Sequence, residues 1–153
     1  MDVLSVSAPN DEVRQLIGEL EAELGGLYAP EQRHGLALDA IFVPHMRFFV
    51  ARKDGTPAGC GGVALFADFA EVKRMYVCPK ARGQGAADAL MARLIVETRQ
   101  AGLGTLRLET GTLSLAAIAF YRRSGFQNCP AFGAYATMPP HRISASVFME
   151  RRV

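Results

Sequence analysis

Residues 71–91 read E-V-K-R-M-Y-V-C-P-K-A-R-G-Q-G-A-A-D-A-L-M. A strand pattern runs from Glu71 to Val77, a basic turn after Pro79 carries Gly83 and Gly85, and a helical pattern follows. The first backbone N–H groups of a helix have no intrahelical partners, and the macrodipole adds positive potential there. A glycine turn feeding a helix therefore suits a phosphate or pyrophosphate, and glycine lets such a ligand approach the backbone closely. Lys73, Arg74, Lys80 and Arg82 surround the turn, and the only acids in the stretch are Glu71 and Asp88. An anionic ligand is expected at residues 82–87.

Spacing separates the nucleotide-binding devices that use such a turn. A P-loop needs Lys-Ser/Thr after its second conserved glycine, but Ala86 and Ala87 follow Gly85, leaving no lysine for phosphates and no hydroxyl for Mg²⁺. The dinucleotide fingerprint needs a third small residue three positions past its second glycine, where this chain has Asp88. Neither fits.

The pattern Arg82-Gln84-Gly85-Ala87, after a strand and a Pro-containing turn, resembles the acetyl-CoA signature of the GCN5-related N-acetyltransferase (GNAT) superfamily. A second block, A-I-A-F-Y-R-R-S-G-F from Ala117 to Phe126, is similar to that superfamily's later A-x-x-(Leu/Phe)-Tyr-x-x-x-Gly-Phe element. Among the branches it looks most like small bacterial acetyltransferases. The resemblance implies a mixed α/β (α+β) domain over residues 1–153, with a central, mostly antiparallel twisted sheet flanked by helices. It also implies acetyl-CoA as cosubstrate, bound where two strands diverge, with Arg82, Gly83, Gln84, Gly85, Ala86 and Ala87 on its phosphates.

Composition agrees. The chain has 153 residues, half of them hydrophobic, enough for one domain with a substantial core. A formal charge of +2, with dispersed basic residues, argues against nucleic acid and anionic membranes. No leader pattern opens the chain and no stretch approaches a membrane span, so a cytoplasmic protein is expected. Cys60, Cys78 and Cys129 are far apart and lack metal-site spacing, which favours reduced thiols. The three histidines share no zinc spacing, and no metal is expected.

Along the chain, Val3 to Ala8 reads as a strand. Asn10 or Asp11 can cap a helix with Val13, Leu16, Ile17, Leu20 and Leu24 on one face, stopped at Gly25-Gly26. A short helix is expected over Leu36 to Phe42, then a hairpin of Arg47 to Arg52 with Ala58 to Phe66. A helix from Gln84 to Ala101 packs Ala87, Leu90, Met91, Leu94 and Ile95 on the sheet. Thr105 to Glu109 forms a strand, Leu115 to Ser124 a helix, and strands near Phe126 and at Ser146 to Glu150 close the fold. An edge strand near the C-terminus could pair two subunits as a homodimer. Residues 132–144 read as a long loop.

Acetylating an amine requires a neutral amine, a polarised thioester carbonyl and a proton for the departing thiolate. Glu71 stands where the histone-acetylating branch carries its general-base glutamate, so the resemblance assigns it the deprotonation of the acceptor ammonium; a salt bridge to Lys73 is the structural alternative. Strict strand alternation groups Glu71, Lys73, Met75 and Val77 on one face and Val72, Arg74 and Tyr76 on the other. The resemblance gives the Met75 and Val77 main chains to the pantetheine arm and the Met75 N–H to the acetyl carbonyl. Tyr121 is the expected general acid, because a phenol with a pKa near 10 is protonated at neutral pH.

Ser114 stands where relatives often carry an asparagine that touches pantetheine, although it can equally be the N-cap of the helix that follows. Asp88 suits the helix dipole but repels a pyrophosphate. Tyr28, Arg33 and His34 fall in the region that shapes the acceptor pocket in this superfamily, and Arg33 could meet a substrate carboxylate. Tyr135 could stack on the acceptor or cover the core. With Phe132 and Met138 it favours an apolar primary amine, such as an aromatic amine or amino acid, over a polyamine. A CoA-binding regulatory or interaction module that does no chemistry is the alternative to an enzyme.

Overall fold

In the computed structural model, which describes residues 1–153, seven strands form one sheet: β1 (Asp2–Val6), β2 (Met46–Lys53), β3 (Thr56–Leu65), β4 (Ala70–Val77), β5 (Thr105–Gly111), β6 (Gln127–Asn128) and β7 (Ser146–Arg152). Their order is β1-β2-β3-β4-β5-β7-β6, and every pairing is antiparallel except β4 with β5. This is the expected mostly antiparallel mixed sheet. The edges are β1 and the two-residue β6; the C-terminal β7 lies inside, between β5 and β6.

Helices cover both faces. Helix α1 (Asp11–Gly25) is capped by Asn10, whose Oδ1 accepts the Val13 N–H at 2.9 Å, and ends at the glycine pair. Its buried Val13, Leu16, Ile17 and Leu20 pack with Phe48, Val50, Cys60 and Tyr76. The short α2 (Leu38–Ile41) adds Ile41 to the same layer. On the other face, α3 (Ala86–Gln100) sets Leu90, Met91 and Leu94 against Phe49, Val63, Val72, Leu106 and Leu108. Phe48 and Phe49 thus serve opposite layers from adjacent positions, as a strand buried on both sides demands. Helix α4 (Leu115–Arg123) brings Tyr121 to the α3 layer.

Some expectations change. Helix α3 begins two residues later than its pattern suggested, because Gly85 takes the N-cap with φ 91°. Its buried stripe starts at Ala86 rather than Ala87 and extends to Thr98, whose hydroxyl returns to the Leu94 carbonyl at 2.8 Å. Residues 132–144 are not structureless: a 3₁₀ turn (Gly133–Thr137) and α5 (Pro140–Ile143) occupy most of them.

Two irregularities in β4 create the site. First, β3 and β4 pair Gly62 with Lys73 and Cys60 with Tyr76, so Arg74 and Met75 together oppose Gly61 alone. This is a β-bulge, with Arg74 at φ 56°, and it reverses the side-chain alternation beyond it. The strict two-face grouping is therefore corrected. Met75 and Val77 join Val72 on the α3 side, whereas Lys73 remains with Glu71, and Arg74 and Tyr76 turn toward α1. Second, β4 pairs with β5 only at Ala70–Leu106 and Glu71–Arg107. Beyond that point the strands part, and the facing edge of β4 from Val72 onward has no ladder partner on β5.

Candidate active site

The split between β4 and β5 opens a cleft of about 800 Å³ that reaches both faces of the sheet. On the α3 face, its wall includes Met75, Val77, Arg82, Gly83, Gly85, Ala86, Ala87 and Asp88. Gly83 and Gly85 have φ of 75° and 91°, left-handed values that make a side chain unfavourable at both positions. No side chain caps the N-terminus of α3, so its first-turn N–H groups face the cleft without a protein acceptor. Arg82 is braced by its Nε on the Val77 carbonyl at 3.1 Å and by Glu23 at 2.8 Å. Gln84 differs from its neighbours. Its amide donates to the Lys80 carbonyl at 3.1 Å and accepts from Lys53 at 2.6 Å, which makes it a brace of the turn outside the cleft wall.

Tyr121 lies at the same opening, 7% exposed, and its hydroxyl is bonded to no protein atom. Burial, reinforced by the charge of Glu109, pushes its phenol well above the ordinary tyrosine range. It is held protonated at neutral pH.

The opposite face carries charge. Glu71 is 5% exposed; its Oε2 accepts the Tyr135 hydroxyl at 2.7 Å and meets Lys73 Nζ at 3.0 Å. Lys73 also donates to the Tyr135 oxygen at 2.8 Å, closing a triangle. The salt bridge foreseen as the alternative role for Glu71 is thus formed, at the wall of the cleft. Burial, then the charge and hydrogen bond of Glu71, drive the Tyr135 phenol far up.

Tyr135 packs edge-on against Phe132 and His34 and tilted against Phe148, with ring centroids 5.2–5.4 Å apart. It covers the core rather than presenting a free stacking face, and Phe132 is likewise buried. The apolar acceptor surface expected of these rings is corrected accordingly. Exposed apolar side chains at the cleft come instead from Leu27, Leu113 and Leu115.

The other residues expected to meet the acceptor or pantetheine are brought to the cleft, with much of their bonding capacity spent internally. Tyr28 is buried, and its hydroxyl meets Ser114 Oγ at 2.8 Å and accepts the Leu113 N–H at 3.0 Å. Ser114 does sit at the N-cap of α4, but its hydroxyl makes no capping bond because it is engaged with Tyr28. Arg33 lies 3.6 Å from Glu21, which also pairs with the buried Arg74. His34 Nε2 is 2.6 Å from the Arg142 carbonyl.

Glu109, on β5 at the cleft wall, was not foreseen as a site residue. Its Oε2 accepts the Ser146 hydroxyl at 2.7 Å, and burial raises its carboxyl above the usual range. The only sequence signal is an acid in alternation with buried leucines, L-R-L-E, and many exposed strand faces show the same. No group of three or more His, Cys, Asp and Glu side chains is placed to hold a metal ion, and no helix is long and apolar enough to cross a membrane.

A sheet split between one parallel strand pair, with an uncapped glycine-led helix start beside the split, is the architecture of acyl-CoA N-acyltransferase folds. The chain superposes on the crystal structure of a protein assigned to that class from Klebsiella pneumoniae with a TM-score of 0.79 and 33% identity, covering 99% of this chain and 96% of the other. The model of the acetyltransferase (GNAT) family matches residues 13–126, and the chain belongs to this family of N-acetyltransferases. It is 44% identical over 143 residues to a protein named IAA acetyltransferase from Azospirillum brasilense, spanning 92% of this chain and 90% of that one. A fold neighbour from Thermoplasma acidophilum, 16% identical with a TM-score of 0.70 over the full length of both chains, is an N-acetyltransferase solved with coenzyme A.

Proposed function

We propose that the protein transfers the acetyl group of acetyl-CoA directly to a primary amine of a small molecule or amino acid, in the cytoplasm. The observation that carries this reading is the placement of Tyr121 and the Glu71 carboxylate at one opening, but on opposite faces of the sheet. A thioester lying in the split, with its pyrophosphate at the α3 start, presents sulfur toward the Tyr121 side and its carbonyl carbon toward the carboxylate side. The acceptor then attacks from one face while the thiolate leaves on the other, where a protonated phenol stands.

The phosphates would lie on the first-turn N–H groups around 83–87, with Arg82 beside them. Pantetheine would run along the unpaired edge of β4, taking hydrogen bonds from the main chain at Met75 and Val77. The Met75 N–H, at the bulge, is the candidate donor to the developing oxyanion. Asp88 sits against this path and lowers affinity for the pyrophosphate. On the acceptor side, Glu71 draws the ammonium, Arg33 and His34 line the polar wall, and Tyr28 and Tyr135 shape the floor. The exposed Leu27, Leu113 and Leu115 suit an apolar body on the amine. The relative named an acetyltransferase and the coenzyme A held by the fold neighbour support the donor. Three free thiols fit a reducing compartment.

A CoA-binding module without chemistry would have no need of a buried, unbonded phenol across the split from a carboxylate. Thermal unfolding with acetyl-CoA, coenzyme A, ATP and NAD tests the donor. A ligand at a hundredfold its dissociation constant adds about 2.7 kcal/mol of apparent stability. Selective stabilisation by the two thioester-family ligands, followed by thiol release on adding primary amines, is the expected result. Equal responses to all four, or none, would withdraw the reading.

A further inference from the structure

The register of the one parallel strand pair puts a second carboxylate beside Glu71. Glu71 lies opposite Arg107, and Glu109 follows two residues later on the same face of β5, where the strands have already parted. Both line the cleft from the acceptor side. Their surroundings differ. Glu71 Oε2 is gripped by an ammonium and a hydroxyl, Lys73 at 3.0 Å and Tyr135 at 2.7 Å, and its side chain is 6% exposed. Glu109 receives one neutral donor, the Ser146 hydroxyl on Oε2, and no cation pairs with it, whereas the Oε1 of either carboxylate has no protein partner.

We propose that Glu109, rather than Glu71, takes the proton from the acceptor ammonium, while Glu71 acts as a positioning residue fixed by Lys73 and Tyr135. The assignment rests on the acetyl-transfer reading above. In the balanced step, the Glu109 carboxylate removes one proton from R–NH₃⁺, and the freed nitrogen lone pair attacks the thioester carbonyl. The C–N bond forms, the C–S bond breaks, and the thiolate takes the Tyr121 proton. The second nitrogen proton restores the phenol through solvent, and Glu109 returns its own proton to bulk water.

A base must attract a proton more strongly than an ordinary surface glutamate does. The groups facing Glu109 are Glu71 and Lys73 from β4, Ser146 from β7, His34 from the segment before α2, Tyr135 from the 3₁₀ turn and Tyr121 from α4. Burial and the Glu71 charge raise its affinity for a proton; Ser146, His34 and Lys73 pull the other way, and burial is the largest influence. Glu71 is already committed to an ion pair with Lys73 and to the Tyr135 hydroxyl, a pairing that Glu109 does not make.

Two readouts test the assignment. The first needs no acceptor: a carbon-13 NMR titration of protein labelled at glutamate Cδ, with signals assigned by Glu109→Gln and Glu71→Gln. The Glu109 carboxyl is expected to titrate above the ordinary glutamate range; titration at or below that range overturns the proposal. The second measures acetylation of a panel containing tyramine, phenethylamine and phenylalanine. Glu109→Gln should lower kcat/KM by about 100-fold or more at pH 7. The remaining rate should climb with pH as free amine appears, and Glu109→Asp should restore part of the original profile. A Glu109→Gln rate within threefold of the parent, with an unchanged profile, overturns the proposal. Failure of acetyl-CoA to stabilise the parent protein would count against the function itself, and the Glu109 titration is read independently of it.

Discussion

The Tyr28 hydroxyl meets the Ser114 hydroxyl at 2.8 Å, joining the segment after α1 to the start of α4 across 86 residues of sequence. The same phenol oxygen accepts the Leu113 N–H, and a Cβ on Gly111 would overlap it. The strand end, the α4 start and the segment after α1 are therefore set by one ring. Tyr28→Phe should cost about 1 kcal/mol through its lost hydrogen bonds. Gly111→Ala should cost about 1–3 kcal/mol because the ring must move. Urea denaturation measures both, and a Gly111→Ala protein as stable as the parent would contradict the overlap.

Tyr121→Phe keeps the ring in its packing and removes only the unbonded hydroxyl. Turnover should fall by about 100-fold with acetyl-CoA affinity retained, as single-turnover kinetics beside calorimetric titration would show. Since burial holds the phenol above its ordinary range, the parent should show no alkaline loss of activity from this group below about pH 10.

Nothing in the protein lies within 4 Å of a Cβ built on Gly85. Gly85→Val should therefore cost only the left-handed backbone penalty, about 1–2 kcal/mol. The branched side chain would stand where the pyrophosphate is expected, so the protein should fold and lose its thermal response to acetyl-CoA. A retained response would move the phosphates elsewhere.

Lys73→Met removes the cationic partner of a carboxylate that is 5% exposed. Breaking a buried pair on one side costs about 3–5 kcal/mol, with the Tyr135 hydroxyl retaining part of that. Urea denaturation at neutral pH measures the loss; a Lys73→Met protein as stable as the parent would mean that the pair contributes nothing to the fold.

Glu109 has the opposite linkage. Its carboxyl is raised by burial, so its contribution favours folding below the ordinary glutamate range near pH 4.3 and is lost as pH rises through the folded value. Glu109→Gln, which can still accept from Ser146, should melt at a higher temperature than the parent at pH 8, with the gap closing near pH 4. Destabilisation at pH 8 would show that the buried charge is better compensated than its single hydroxyl partner suggests.

The parts of the site legible in the sequence are local. Positive φ at two glycines, the Asn10 cap and the periodicity of α3 follow from neighbours within a few positions, and the glycine turn before α3 was readable for that reason. What escaped depends on distant partners. Reversal of faces after Arg74 follows from two residues of β4 opposing one of β3, which no alternation pattern in β4 alone discloses. Tyr135 was readable as a ring in a loop, but whether it faced an acceptor or the core depended on Phe148, thirteen positions on and one strand away.

By itself the sequence determined the family, the glycine-led turn before α3 and the phenol at 121, because backbone conformation and periodicity are set by residues adjacent in the chain. Tertiary structure alone decided which groups share the cleft. Two residues of parallel pairing between β4 and β5 place Glu71 and Glu109 on one face, and Tyr121 reaches the same opening from the other. Burial then raises the proton affinities of Glu109 and Tyr121, and burial comes into being only when the helices close over both sides of the sheet.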